Sequence, residues 1–239
     1  MDYFTKTSNG EFWVSDLDSS QSVELYYYKV WEKHLLDVID KYVQPGTIAI
    51  DAGANFGSIS IPISKKLGDH GKLYSFEMSP SMTERLNRNI YQNKCSNIEV
   101  INSPLSDDVD QEVFFEDINF SEKTNFGDIR INKEAKGVKA KTKTIDSLEL
   151  WTKDQYPDIV SFIKVDCQGY DLKVIRGAEK TITKHKPVVV FEWEAEMSEI
   201  FNDTIEDVIL FFHDIDYKVN KIDKDDWIAL PKDINEISR

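Results

Sequence analysis

Four acidic side chains stand immediately after, or at the end of, short apolar runs: Asp51, Glu77, Asp166 and Glu192. Carboxylates in that position suit three tasks: accepting hydrogen bonds from a ribose diol, holding a ligand ammonium, and taking a proton from a reacting group. Between the first two lies Asp51-Ala-Gly-Ala-Asn-Phe-Gly57, in which Gly53 and Gly57 leave room for a tight turn and a closely approaching ligand. Asp166 is the first candidate for a general base or for orienting an acceptor, Glu192 the second and Asp171 the third. Asp166 could equally bind a ligand ammonium. A divalent metal held by Asp166 and Glu192 is conceivable, but no spacing specific to a metal accompanies them. His34, His70, His185 and His213 fall on expected helices or loops away from these positions, where surface or core packing is their expected role.

The elements that must position these groups follow from periodicity. Thr47–Ile50, Lys72–Phe76, Asn97–Asn102, Ile159–Val165 and Val188–Phe191 read as strands. Helices are expected from Gly57 to Leu67, after the Ser79-Pro80 cap, over Asp171–Thr183, and over Asp203–Asp214 with Ile205, Val208, Ile209 and Phe212 on one face. A further helix is expected over 145–151. Strands alternating with helices imply an α/β fold built on a mostly parallel, doubly wound, Rossmann-like sheet. Tyr217–Ile222 and Trp227–Leu230 add an antiparallel C-terminal hairpin, and the β-prone pieces between Gln111 and Thr144 read as added hairpins.

Upstream, residues 1–20 carry the turn signal Asn9-Gly10 and read as a short hairpin or arm. Tyr28, Trp31, Leu35, Val38 and Tyr42 recur at helical steps, so a single helix is expected from Ser22 to Val43, ended by Pro45-Gly46. Residues 1–45 thus form an arm with a helical extension, and 46–239 the main domain, within one compact unit.

Composition narrows the function. The 43 acidic and 29 basic side chains give a formal charge of −14, which repels a phosphate backbone, so no nucleic-acid partner is expected. Lys139, Lys141 and Lys143 alternate on an expected strand and read as a solvated face. Two cysteines without framework spacing fit a reducing compartment. No membrane span and no leader are expected, which makes a soluble, cytoplasmic protein the simplest reading. The Asp51–Gly57 turn lacks the GxGxxG of a pyrophosphate site; S-adenosylmethionine, which has no phosphate and carries an ammonium, suits it better.

These residues together resemble the FkbM family of methyltransferases that use S-adenosylmethionine. The resemblance rests on IDAGANFGS from Ile50 to Ser58, SFEMSP around Glu77, NSPLSD from Asn102 to Asp107, FIKVDCQGYDLKVIRGAE from Phe162 to Glu179, and KPVVVFEWE from Lys186 to Glu194, in the family's order. It implies a class I methyltransferase fold with Asp51, Gly53 and Asn55 around the methionine part of the cofactor, Gly57 in the same cofactor-binding turn and Glu77 on the ribose. Ser106 and Asp107 would lie near the adenine, and Asp166 beside the sulfonium and the acceptor. Glu32, with Tyr26–Tyr28 and Trp31, belongs to a helix that either covers the cofactor site or only packs. Tyr170 and Trp193, with Trp151, either wall a flat acceptor or belong to the core. Relatives often have Glu where this chain has Gln168, and Asp171 replaces a common Glu. The resemblance implies an O-methyltransferase acting on hydroxyls of sugars, glycans or other small molecules. Methylation of protein, lipid or RNA, and a catalytically silent adapter on the same fold, are the alternatives.

Overall fold

The computed structural model describes residues 1–150 and 158–234; Trp151 lies outside them. Five parallel strands form the centre: β3 (Ile48–Ala52), β4 (Lys72–Phe76), β5 (Ile98–Ile101), β9 (Val160–Val165) and β10 (Val188–Glu192). With β11 (Tyr217–Lys221) and β12 (Asp226–Pro231) they make a seven-stranded sheet ordered β11-β12-β10-β9-β3-β4-β5. The hairpin β11–β12 joins antiparallel to β10, as expected. Strands β3 and β9 are neighbours although far apart in sequence, so the chain runs outward in opposite directions from their junction. A crevice opens at the carboxyl ends of such strands.

Alternation along the strands sorts the core into two layers. Val189 and Phe191 of β10, with Ile48, Ile50 and Ala52 of β3, pack under α5 (Asp171–Arg176), α6 (Glu179–His185) and α8 (Ile205–Asp214). Val188, Val190, Ala49 and Phe162 face α2 (Lys33–Tyr42) and α3 (Ser60–Leu67). Beside the sheet edge, α4 (Pro80–Asn93) starts at Ser79, whose Oγ accepts the Met82 N–H, with Pro80 in the first turn.

Three expectations need correction. The helix from Ser22 to Val43 is two helices, α1 (Gln21–Tyr27) and α2, because Lys29 and Glu32 take left-handed conformations at φ 62° and 46°. The intervening backbone is captured by the N-terminal hairpin β1 (Asp2–Lys6)–β2 (Glu11–Ser15): the Ser8 N–H donates to the Lys29 carbonyl, and the Trp31 N–H to Asn9 Oδ1. The helix from Asp171 to Thr183 is likewise divided into α5 and α6, at Gly177, where a Cβ would lie 2.0 Å from the Ser106 carbonyl oxygen. In α8, Val208 and Phe212 are buried, whereas Ile209 is 38% exposed. Residues 145–148 form one 3₁₀ turn.

The pieces between Gln111 and Thr144 form a separate three-stranded antiparallel sheet, ordered β7 (Ile131–Asn132), β6 (Glu112–Phe115), β8 (Val138–Lys141). Lys139 and Lys141 on it pair with Glu112 and Asp110, so their charge is met within the same face. Between β8 and β9 the chain rejoins the main sheet. A short α7 (Ala195–Ser198) follows β10. Among the described residues no helix is long and apolar enough to cross a membrane.

Candidate active site

A cavity of about 320 Å³ opens at the carboxyl ends of β3, β4, β9 and β10, within the size range of small-molecule sites. Gly53, Asn55, Glu77, Asp166, Glu192 and Glu32 line it, six of the eleven expected site residues. Asp51, Gly57, Ser106, Asp107 and Asp171 do not.

Parity explains the position of Asp51. It follows Ala49 and points to the face covered by α3, where its Oδ2 accepts from Ser60 Oγ at 2.5 Å. Lys164, its cross-strand partner on β9, points the same way and is 5% exposed. The Lys164 ammonium lies 3.6 Å from Asp51 Oδ1 and donates to Asp166 Oδ2 at 3.0 Å and to the Gly53 carbonyl at 3.1 Å. Burial opposes its charge, but Asp166, Asp51 and Glu32 outweigh that and hold its pKa well above the ordinary lysine value. Asp51 therefore acts on the cavity from beneath, through Lys164.

Burial also pushes up the Asp166 carboxyl, yet the Lys164 ammonium and hydrogen bonds from its neighbours hold it below the usual carboxylate range. Glu192 behaves oppositely. Burial and the Asp166 charge raise it well above the usual carboxylate range. Gln168 Nε2 donates to Asp166 Oδ1 at 2.8 Å and to Glu192 Oε2 at 2.9 Å. Lys164 thus pairs with Asp166 and leaves Glu192 to Gln168.

Glu77 is held from both sides: its Oε2 accepts the Asn55 N–H and its Oε1 the Ser79 N–H, each at 2.8 Å. Burial raises its pKa to about 7 in spite of these bonds. Each oxygen keeps a further lone pair for a donor in the cavity. Asn55, left-handed at φ 48°, donates from Nδ2 to the Phe126 carbonyl and so ties the turn to the added sheet. At Gly53, φ is +83° and a Cβ would lie 1.8 Å from the Asp166 carbonyl oxygen. That glycine is required by the junction of β3 and β9 itself, whatever the cavity holds.

Asp171 is 1% exposed and accepts the backbone N–H groups of Cys167 and Gly169, which fixes the loop carrying Gln168. Ser106 is fully buried against Gly177, and Asp107 accepts from its hydroxyl while facing Lys173 at 3.9 Å. Trp193 belongs to the core, whereas Tyr170 and Trp31 line the cavity. Tyr27 and Tyr28 are turned to solvent.

Sequence reasoning placed His34 away from the site; the fold brings it to the rim. Its Nε2 lies 2.6 Å from Asp226 Oδ2 and its Nδ1 3.1 Å from Asp223 Oδ2, both residues that line the cavity. The β11–β12 turn also contributes Lys224 and Asp225, and Glu194 stands beyond Glu192. Ile131 of the added sheet and Ile129 just before it form an apolar wall. Glu32 hangs over the cavity from the break between α1 and α2, where burial and neighbouring carboxylates raise it to about 8. Eight acids and one lysine therefore line the space, a field that favours a ligand with net positive charge. Among the described residues, no group of three or more His, Cys, Asp or Glu is arranged to hold a metal ion.

Comparison with known proteins agrees with this architecture. The methyltransferase FkbM domain matches residues 51–219, more than half of the chain. No curated protein sequence matches at a significant level. Among solved structures, the chain is similar to a methyltransferase FkbM from Methylobacillus flagellatus KT, at 15% identity and a TM-score of 0.51 over 82% of this chain and 50% of that one. This chain thus spans half the length of that protein. It is also similar to an S-adenosylmethionine-dependent O-methyltransferase from Thermotoga maritima, at 10% identity and a TM-score of 0.50 over 96% of this chain and 77% of that one. At such identities the likeness is one of fold, a Rossmann-like methyltransferase sheet. The family match carries the assignment: the chain belongs to the FkbM family of S-adenosylmethionine-dependent methyltransferases.

Proposed function

We propose that the chain methylates a hydroxyl group of a sugar, a glycan or another small molecule. The observation that carries this reading is Asp166, a carboxylate held ionised by a buried lysine while facing the cavity. A hydroxyl attacks well only as its proton leaves, so an O-methyltransferase gains from a placed base, whereas a more nucleophilic acceptor would need less of one.

S-adenosylmethionine supplies an electrophilic methyl group on a sulfonium. The residues present fit this donor: the acidic lining complements its net positive charge, Glu77 offers acceptor lone pairs for a diol, and the Gly53–Asn55 turn lets backbone approach closely. The chain's own work is to hold donor and acceptor in line, to exclude water, and to move one proton from the acceptor oxygen to Asp166 Oδ1 or Oδ2. Tyr170, Ile129 and Ile131 supply aromatic and apolar lining against which a sugar ring can pack. The same acidic lining repels polyanions, which sets nucleic acid aside as an acceptor.

The test has two stages. Calorimetric titration with S-adenosylmethionine and S-adenosylhomocysteine is expected to show saturable binding, with a nicotinamide dinucleotide inert. Transfer of labelled methyl to a panel of neutral and amino sugars should then be lost in Asp166→Asn. Binding of neither compound by folded, cofactor-free protein would overturn the reading.

A further inference from the structure

Two carboxyl groups closing on one cavity need something electropositive between them, and divalent cations commonly fill that place. In this chain an uncharged amide fills it. Gln168 Nε2 has two N–H bonds, and both are used, one on Asp166 Oδ1 at 2.8 Å and one on Glu192 Oε2 at 2.9 Å. The amide is held there by its backbone. Gln168 is left-handed at φ 51°, and Gly169 follows at φ 89° with Met197 so close that a Cβ would approach it to 2.8 Å. Asp171 fixes the loop through the N–H groups of Cys167 and Gly169.

Among the described residues, the Gln168 amide donates to both carboxyls, and the charges around the pair are mostly acidic. Lys164 occupies the other Asp166 oxygen from below, beside Asp51. Glu32 and Asp226 face the pair from the α1–α2 break and the C-terminal hairpin, Glu77 and Asp171 from β4 and α5, and Glu194 from the end of β10.

We propose that Gln168 is a positioning residue that stands where a divalent cation would bridge Asp166 and Glu192. Its amide clamps the two carboxyls into one unit, so that Asp166 works as a base with an amide donor in the place of a cation. The catalytic meaning of the clamp rests on the hydroxyl-methylation reading; the clamp and its exclusion of cations do not. Position 168 is therefore a selector of metal dependence. A carboxylate there would give three converging acidic side chains, an oxygen set suited to Ca²⁺ or Mg²⁺.

The experiment is calorimetric titration of the full chain with CaCl₂ and MgCl₂, without methyl donor. Wild type is expected to show no saturable site below millimolar cation. Gln168→Glu is expected to gain one site at least tenfold tighter, and Gln168→Glu/Glu192→Gln to lose that gain. A wild-type site that disappears in Glu192→Gln would overturn the proposal, as would a folded Gln168→Glu that binds no better than wild type. Gln168→Leu supplies a second readout. Loss of the amide donor should raise the lower pKa of the Asp166–Glu192 pair, followed by carboxyl ¹³C shifts against pH, and an unmoved titration would sink the clamp. Failure of S-adenosylmethionine to bind wild type, with these cation results intact, would count against the methyltransferase reading alone.

Discussion

Replacing Lys164 by Met tests the electrostatic foundation of the site. The side chain is 5% exposed, spans Asp51 and Asp166, and donates to both Asp166 and the Gly53 carbonyl. Met fills similar volume without charge, leaving two carboxylates in a buried position with no counter-ion. Removing one member of a buried charge pair costs about 3–5 kcal/mol. For a chain of this length each kcal/mol lowers the melting midpoint by roughly 2–4 °C, so Lys164→Met should melt about 6–20 °C lower at pH 8. The sign of the pH dependence follows from the pKa changes. In wild type, Asp166 is depressed by Lys164, so its contribution is present above the unfolded pKa and fades as pH falls through the folded value. In the mutant, burial loses its main opponent and outweighs the remaining hydrogen bonds from Ser60 and Gln168, so Asp166 is raised and Asp51, already raised in wild type, is raised further. Stability is then retained below the unfolded values and lost as pH rises through the raised ones. The penalty should therefore shrink from pH 8 toward pH 4.5, and Lys164→Met/Asp51→Asn should recover part of it at pH 8. Urea denaturation at the two pH values measures this directly. A penalty under about 1 kcal/mol at pH 8, or one independent of pH, would refute the argument.

Glu77→Ala removes an acceptor that two backbone N–H groups hold in place, and should weaken S-adenosylhomocysteine binding by about 1.5–3 kcal/mol, roughly 10- to 150-fold, in calorimetry. Unchanged affinity would remove Glu77 from the ribose site. Asp166→Asn should remain folded and retain cofactor binding while methyl transfer falls by about 10²- to 10⁴-fold; a variant at full rate would eliminate Asp166 as base. Gly53→Ala places a methyl 1.8 Å from the Asp166 carbonyl oxygen at a φ of +83°, so it should either fail to fold or melt far below wild type. Wild-type stability in that variant would mean that the β3–β9 junction is looser than described.

The central sheet was legible because its strands are covered on both faces and read as short apolar runs, and because Ser79-Pro80 marks the start of α4 without ambiguity. Helix breaks were not legible. Periodicity reports which residues share a face, but it is blind to the Asn9 side chain that captures the Trp31 backbone and to the Ser106 carbonyl that presses on Gly177. At the site, Asp166, Glu77 and Glu192 followed from their place after strands, and Glu32 lines the cavity from a helix break rather than from within a helix. Lys164 left a signal: a lone lysine inside an apolar strand, in the run from Phe162 to Val165, points to a buried ionic partner. Glu192 at the sheet rim is one candidate, but the fold pairs the lysine with Asp166 and Asp51. His34 left none, since its contacts with Asp223 and Asp226 lie almost the whole chain away.

The two ends of the cavity are built under unequal constraint. Around Gly53 and Asp166, backbone meets backbone so closely that hardly any side chain can change without disturbing the sheet. The opposite wall, with Ile131 and Ile129 just before it, belongs to a small sheet and its flank, whose strands bond to one another, joined to the main domain by the Leu105–Lys143 bridge and contacts such as that of Asn55 with Phe126. Ile129 there packs with Met82, Phe115 and Phe126, whereas Ile131 is only half-buried. A change at Gly53 must displace the Asp166 backbone, whereas one at half-buried Ile131 can be taken up toward solvent, so the two ends of the cavity tolerate substitution unequally.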